Sequence, residues 1–249
     1  MTNDDRSVGR VLTRREILTL FSGAAAGTAL LAASGHVGSH TVNAAGAVRP
    51  SCVVRPQQTQ GPYFVDEKLR RSDIRRDPTD GSVKQGVPLR LVFRVAELNG
   101  SVCRPLAGAT VDVWHCDALG VYSDARDPLF GDTRGKKFLR GYQVTTAAGT
   151  AEFLTIYPGW YQGRTVHVHF KIRTASASSA HHEFTSQLYF DDTLTDRVHA
   201  RPPYAGKGRR TMRNADDGIF RDGGTKLVLK VAKEGQGYAA AFDVALETA

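Results

Sequence analysis

Two histidines placed two residues apart, His167 and His169, carry the strongest chemical signal in the sequence. They lie in the run 165–173, whose β-branched and aromatic residues predict a strand. Because side chains alternate across a strand, both imidazoles face one side, and Val168 faces the other side, where a core would lie. Imidazole is the commonest metal ligand in proteins, so the pair predicts a metal site, although many such pairs are ordinary surface or core histidines.

The residues that precede this strand add two functional groups to the same region. Tyr161 and Arg164 follow the turn signal Pro158-Gly159, which can fold the loop back over the strand. A second segment, 113–124, ends a predicted strand and enters a turn at Gly120. Taken singly, each residue also fits an ordinary structural role, Tyr161 as a surface aromatic and Arg164 as the partner of a carboxylate.

These side chains need strands to hold them, and the sequence after residue 51 contains several short apolar runs. The predicted strands cover residues 88–98, 109–114, 139–145, 151–157, 165–173, 184–190 and 226–231. Turn signals such as Asn99-Gly100 separate many of them. This spacing predicts an all-β fold class, an antiparallel β-sandwich core with long loops and little helix. Residues 191–224, rich in Arg, Asp, Pro and Gly, are expected to form a long surface excursion with one short helix.

The composition excludes some classes of protein. The chain has 249 residues, of which 41% are hydrophobic and 23% charged, values that are ordinary for a globular protein with a sizeable core. The formal net charge is +8, but the basic residues are scattered and no stripe interleaves them with aromatic residues. We therefore expect no nucleic-acid partner. We interpret the charge as a solvated surface; a field that attracts anionic aromatic substrates is the alternative.

The N-terminal segment predicts an export signal. Arg14-Arg15 is followed by a weakly apolar stretch, 17–33, that glycines interrupt, and small residues at 44–47 offer a cleavage site. Twin arginines are typical of an export route that carries folded proteins. We therefore assign residues 1–47 to a twin-arginine signal peptide and linker and residues 48–249 to the β-sandwich domain. The expected location is periplasmic or extracellular, with no stable membrane span after processing; an uncleaved N-terminal anchor is the alternative.

The chain has three cysteines, Cys52, Cys103 and Cys116. Outside the cytoplasm two of them could pair and one would be left over. Cys52 and Cys103 lie in turn-like contexts near prolines and are the preferred disulfide pair, although spacing alone does not fix the connectivity. Cys116 lies in an apolar run and is expected to be a small buried side chain. The sequence contains no Cys-x-x-Cys motif, so a thiolate zinc site is not expected.

Several ordered motifs resemble the signature of the intradiol ring-cleavage dioxygenases. They lie at residues 108–115, 117–123, 139–143, 155–161, 164–170 and 186–190. The segment 59–64 resembles the family's entry segment, in which a glutamate is more usual than Gln60. The resemblance covers residues 52–232, and the order of the motifs makes it specific.

The resemblance implies an iron site and assigns its residues. The implied metal ligands are Tyr122, Tyr161, His167 and His169. Tyr122 is implied to stay bound, and Tyr161 to leave the metal when substrate binds. Arg164 is implied to stabilise charge on the substrate ring, and Gln187 to line the site. Phenolates are hard anionic donors that favour non-haem Fe(III), whereas Fe(II) oxygenases use two histidines and a carboxylate. His115 falls outside this pattern and is expected to be structural.

The implied activity is intradiol cleavage of a catechol-type diol by O2, with both oxygen atoms incorporated into a cis,cis-muconate. Catechol, substituted catechols, protocatechuate and hydroxyquinol share the chelating diol, and the sequence does not choose among these small-molecule substrates. One rival is a non-catalytic secreted β-sandwich that kept the fold as a binding module. The other is a zinc hydrolase built on the two histidines, although no third histidine or carboxylate follows at an evident spacing. A monomer and an oligomer are both compatible with the sequence.

Overall fold

The computed structural model describes residues 52–174 and 182–247. The predicted signal segment, 1–47, and the predicted domain start at residue 48 lie outside the described residues, so both stay predictions. All described residues belong to one compact unit. None of the helices within these two ranges is long and apolar enough to cross a membrane.

Two sheets and a small hairpin make up the strands of the described chain. In order they are β1 (Pro88–Asn99), β2 (Val102–Pro105), β3 (Thr110–Trp114), β4 (Arg126–Asp127), β5 (Gly131–Asp132), β6 (Arg140–Val144), β7 (Thr150–Ile156), β8 (His167–Arg173), β9 (Glu183–Tyr189), β10 (Ala232–Glu234) and β11 (Gly237–Glu247). The first sheet has the order β10-β11-β1-β2, and β7 also pairs with β1. The second sheet has the order β6-β3-β8-β9, and β4 pairs with β5. The predicted all-β fold class is confirmed.

The strands of the two sheets share one core because apolar residues alternate along them. On β1, Leu89, Leu91, Phe93 and Val95 are buried. They belong to the same hydrophobic cluster as residues of the second sheet, such as Phe170, whose ring centroid lies 5.2 Å from that of Phe93. Two sheets that face each other across a shared apolar layer form the predicted β-sandwich.

The last strand, β11, is the longest of the strands that the sequence did not predict; β2, β4, β5 and β10 are the short ones. It runs parallel to β1, in register from Leu89 opposite Tyr238 to Leu98 opposite Glu247, whereas we expect antiparallel pairing throughout the sandwich. Residues 239–241 of β11 are all alanine, and alanine is depleted in strands. The tertiary pairing with β1, rather than local preference, therefore makes this segment a strand.

The predicted strand at 226–231 is wrong. A 3-10 turn, Gly224–Leu227, occupies its start, and an isolated bridge joins Val228 to Tyr189. Leu227 and Leu229 are buried. The apolar alternation in this segment reflects burial against the core without continuous sheet pairing.

The excursion after β9 contains two helices, where the sequence predicts one. Helix α1 (Asp192–His199) begins after Asp191, whose side chain caps it, and helix α2 (Gly218–Arg221) follows later. Tyr204, between the helices, is completely buried. The excursion is therefore anchored to the core.

The cysteines behave as predicted. Cys52 and Cys103 form a disulfide with their Cα atoms 5.9 Å apart. Cys116 is a free, buried thiol. The disulfide ties the first described residue to β2, next to the strand β1.

Candidate metal centre

Four side chains meet on the face of β8 that points away from the main core. The Nε2 atoms of His167 and His169 lie 3.0 Å apart. The phenolic oxygens of Tyr161 and Tyr122 lie 3.2 Å and 3.4 Å from Nε2 of His167. Metal–ligand bonds of about 2 Å place neighbouring donor atoms at separations of about 3 Å. The structure therefore brings all four predicted ligands together at the spacing of one coordination sphere.

The two histidines are oriented by different neighbours. The Nδ1 hydrogen of His167 is donated to the carbonyl oxygen of Thr165, at 2.7 Å. Trp114 lies opposite His169 in the β3–β8 register. The two rings are nearly parallel, at 5° between planes and 5.0 Å between centroids. Both imidazoles are thus held with Nε2 directed into the cluster.

The hydrogen positions in this cluster fit a bound cation. A carbonyl only accepts, so Nδ1 of His167 carries the hydrogen and its Nε2 carries a lone pair. Nδ1 of His169 is buried and has no hydrogen-bond partner among the described residues. The single ring hydrogen of neutral His169 can lie on either nitrogen. On Nε2 it would leave the Nδ1 lone pair buried without a partner, which costs free energy. On Nδ1 it would leave the Nε2 lone pairs of both histidines facing each other at 3.0 Å. A metal ion held by both Nε2 atoms would remove the repulsion between their lone pairs.

Burial keeps all four groups neutral when no cation is bound. It lowers the pKa of His167 and of His169 well below the usual value, and the positive charge of Arg164 acts in the same direction. Burial raises the pKa of Tyr122 well above its usual value and raises the pKa of Tyr161 to about 12. Neutral imidazole is the form that binds metals, and a trivalent cation displaces phenolic protons as metals do those of bound thiols. The donor set therefore fits Fe(III).

Tyr122 is held from several sides. Its side chain is 1% exposed, and its ring stacks on Tyr63 with the centroids 4.2 Å apart. The hydroxyl of Thr133 donates to its carbonyl oxygen at 2.7 Å. The next residue, Ser123, accepts a hydrogen bond from the buried Arg140 at 2.7 Å. The phenol is therefore fixed through both its ring and its backbone.

Tyr161 lies on a more open loop that leads into β8. The loop is packed tightly at Gly159, where a Cβ atom would lie 2.4 Å from a neighbouring backbone oxygen. Beyond Tyr161, Gln162 and Gly163 are exposed. The Tyr161 ring is partly exposed and meets Tyr122 edge-on, with the centroids 5.6 Å apart. Tyr161 therefore reaches the cluster from its solvent-facing side.

Arg164 and Gln187, the other two site residues that the motifs predict, lie next to the four donors. Nη2 of Arg164 donates to Oε1 of Gln187 at 2.7 Å, and Nε donates to Oδ2 of Asp217 at 2.8 Å. Gln187 faces His169 across the β8–β9 pair and is completely buried. Its Nε2 donates to the carbonyl oxygen of Thr59 at 2.9 Å. The guanidinium is therefore held by two side chains next to the cluster.

Comparison with known proteins identifies the family of the chain. Residues 59–202 match the family model described as Dioxygenase. The solved structure of an intradiol ring-cleavage dioxygenase from Tetranychus urticae is similar over 79% of this chain and 95% of its own, with a TM-score of 0.66 and 30% identity. This chain belongs to the intradiol ring-cleavage dioxygenases. The dioxygenase domain of a dioxygenase carbohydrate-binding protein fusion from Streptomyces sp. SirexAA-E aligns over 79% of this chain and 100% of its own, at TM-score 0.55 and 29% identity.

Curated relatives match this intradiol dioxygenase over only part of their length. A chlorocatechol 1,2-dioxygenase from Pseudomonas sp. (strain P51) is 30% identical over 146 residues, which cover 53% of this chain and 54% of the relative. Catechol 1,2-dioxygenase 1 from Acinetobacter lwoffii is 27% identical over 194 residues, which cover 67% of this chain and 58% of the relative. The chain spans about half the length of the curated relatives it matches.

Two residues beside the candidate centre were not assigned a role from the sequence. Tyr63, in the dioxygenase entry segment, stacks on Tyr122 and donates its hydroxyl hydrogen to Oδ2 of Asp127 at 2.6 Å. Asp217, beyond the family match at 59–202, binds Arg164. The sequence could have predicted that Asp217 caps a helix, because aspartate is a preferred capping residue. It could not have predicted the hydrogen bond that Asp217 accepts from Arg164, which lies 53 residues earlier.

Both ring nitrogens of His115 have hydrogen-bond partners within the protein, which fits the structural role expected for it. Its Nδ1 contacts the carbonyl oxygen of Cys116 at 2.8 Å and its Nε2 contacts the hydroxyl of Thr155 at 2.6 Å. Burial lowers its pKa to about 4. In the described ranges no three His, Cys, Asp or Glu side chains form a group that could hold a metal. The donor set of a zinc hydrolase is therefore absent from this part of the chain.

Proposed function

We propose that this protein uses one non-haem ferric ion and O2 to cleave a catechol-type diol between its two hydroxyl-bearing carbons, yielding a cis,cis-muconate. The family supports catechol-type ring cleavage; the ferric ion, O2 and the muconate product are what we propose for this chain. The observation that carries the proposal is that three metal-binding atoms lie 3.0–3.4 Å from a fourth, Nε2 of His167, beside one guanidinium.

The four proposed ligands have different tasks. The ferric ion would be held by Tyr122, Tyr161, His167 and His169. When bound, it would accept both substrate oxygens as ligands and draw electron density from the ring. Two phenolates offset most of a 3+ charge, which makes its burial tolerable. Tyr122 stays in place because its ring and backbone are fixed by neighbours.

Tyr161 is the proposed proton acceptor. Its phenolic oxygen takes a proton from a substrate hydroxyl, and the neutral side chain then turns toward solvent. The exposed residues that follow it, Gln162 and Gly163, leave room for this movement. A side chain positioned to take a proton contributes about 10²–10⁴-fold to a rate.

Arg164 is the proposed electrostatic stabiliser. Its guanidinium favours the negative charge that develops on the substrate ring, and it is oriented before the reaction by Gln187 and Asp217. Preorganised donors cost no reorientation when charge develops, which is why removing one such donor typically costs about 10²–10³-fold in turnover. A non-catalytic binding module, the main rival, has no need for a cation oriented in this way beside the ligands.

The direct test is turnover of a panel of diols by the iron-replete protein. We expect O2 consumption and a matching rise in muconate absorbance with at least one of catechol, a substituted catechol, protocatechuate or hydroxyquinol. A folded, iron-loaded protein that binds these diols but consumes no O2 would support the binding module instead. A folded protein from iron-replete cells that contains no iron would contradict the ferric site.

We also propose that the protein is exported through its twin-arginine signal. The disulfide between Cys52 and Cys103 supports this, because disulfides persist mainly in oxidising compartments. Fractionation should find the protein in the periplasm or medium, and the change of Arg14 and Arg15 to lysine should retain it in the cytoplasm. Unchanged export of that variant would contradict the signal assignment.

A further inference from the structure

The carboxylate of Asp217 is one of the most completely bonded polar groups of the described chain. It is 1% exposed and lies 15 residues beyond the end of the family match at residue 202. Oδ2 accepts hydrogen bonds from Nε of Arg164 and from the backbone N–H of Thr165, both at 2.8 Å. Oδ1 accepts from the backbone N–H of Ile219 at 2.8 Å and of Phe220 at 3.2 Å.

This bonding fixes both the charge and the position of the carboxylate. A buried carboxylate is costly unless it is paired and hydrogen-bonded. Here one cation and three backbone N–H groups meet that requirement. The backbone of α2 therefore holds one oxygen rigidly, and the other oxygen is directed at Arg164.

Asp217 is linked to both functional parts of the candidate centre. It supplies one anchor of the Arg164 guanidinium, and Gln187 supplies another at 2.7 Å. It also holds the N–H of Thr165, whose carbonyl oxygen accepts the Nδ1 hydrogen of His167. An arginine side chain has considerable rotamer freedom, so two anchors at different nitrogens are needed to define the plane of its guanidinium.

We propose that Asp217 is a positioning residue for the ring-cleavage reaction, acting through Arg164. The proposal rests on the proposed function. Asp217 holds the guanidinium in the orientation that stabilises charge on the substrate, and without it Arg164 can rotate away while the iron ligands stay in place. A misplacement of about 1 Å can cost about 10²-fold in rate.

The matched variants are Asp217→Ser and Asp191→Ser. Asp191 caps α1 as Asp217 caps α2. The backbone N–H of Leu194 donates to the Asp191 side chain at 2.8 Å. Serine keeps a helix-capping oxygen at each position, but at residue 217 it withdraws the carboxylate from Arg164. We expect Asp217→Ser to lower kcat about 10²-fold with little change in KM, and Asp191→Ser to leave kcat unchanged. Iron content and the visible absorption of both variants should match the wild type.

A double-mutant cycle separates positioning from a general structural role. If Asp217 acts through Arg164, then Arg164→Ala combined with Asp217→Ser should be no slower than Arg164→Ala alone. Losses that multiply in the double variant would overturn the proposal. So would wild-type kcat in Asp217→Ser, while a wild-type protein without turnover would count against the proposed function instead.

A third measurement follows the Arg164–Asp217 hydrogen bond directly and needs neither iron nor turnover. In metal-free protein the Nε–H of Arg164 should give an NMR signal that exchanges slowly with water, because that hydrogen is bonded to a buried carboxylate. The signal should be absent in Arg164→Ala and should exchange rapidly in Asp217→Ser. Slow exchange that persists in folded Asp217→Ser contradicts the proposal. Should this variant fail to fold, Asp217→Asn serves in its place, because its amide cannot accept at both ends.

Discussion

The two tyrosines of the candidate centre are chemically alike but are held very differently. Tyr122 is 1% exposed, stacks on Tyr63 and has its backbone bonded by Thr133. Tyr161 is partly exposed, and the chain beyond it is exposed at Gly163. The same phenol is therefore enclosed on one side of the cluster and partly open to solvent on the other. The difference supports the proposal that Tyr122 is a permanent ligand and that Tyr161 makes way for substrate.

Removal of a histidine should have the largest effect, because both histidines would hold the metal that the tyrosines also bind. His169→Ala deletes one of the two facing Nε2 atoms. We expect the iron content to fall to roughly a tenth or less of one equivalent, with loss of all turnover. His182→Ala, which changes a histidine outside the cluster, should load iron fully. Full iron loading of His169→Ala would show that the metal lies elsewhere.

Replacing each tyrosine in turn tests whether Tyr122 and Tyr161 have different roles. Tyr122→Phe should change the tyrosinate-to-Fe(III) absorption both before and after a catechol is added without O2. Tyr161→Phe should change it only before the addition, and turnover should fall about 10²-fold or more because the proton acceptor is lost. Identical spectral changes in both variants would mean that the two tyrosines have equivalent roles.

Arg164→Ala should separate metal binding from catalysis. Its guanidinium hydrogen-bonds Gln187 and Asp217 and supplies no metal-binding atom of its own. Iron content and colour should therefore be kept, while turnover falls about 10²–10³-fold. Visible spectra and O2 uptake measured on one preparation check both parts. A variant with full activity would remove Arg164 from the mechanism.

The smallest effect is expected at Tyr63, whose ring stacks on Tyr122. Tyr63→Phe keeps the ring that stacks on Tyr122 and removes the hydroxyl that bonds Asp127 at 2.6 Å. We expect a loss of about 1 kcal/mol in the free energy of unfolding, measured with denaturant, because Asp127 is partly exposed. Iron loading and colour should be unchanged. A bleached Tyr63→Phe protein would indicate that the hydroxyl, rather than the ring, fixes Tyr122.

The sequence predicts the histidine pair better than the rest of the centre. Alternation along β8 is enough to place His167 and His169 on one face and Val168 in the core, as the structure has them. The tyrosines and Arg164 come from loops, whose paths are set by contacts distant in sequence. Only the family resemblance could predict that they meet the histidines.

The missed features share a physical cause. The alanine-rich strand β11 is a strand because β1 lies beside it, and Asp217 reaches Arg164 because α2 packs near the start of β8. Neither contact leaves a local pattern. The segment 226–231 shows the reverse case, in which apolar alternation signals burial but not a strand.

The most direct test of the central claim is the isotopic composition of the product. The iron-loaded protein should convert catechol under ¹⁸O₂ to cis,cis-muconate that contains two ¹⁸O atoms, as measured by mass spectrometry. A product cleaved outside the two hydroxyl-bearing carbons, or a muconate without oxygen from O2, would contradict the account.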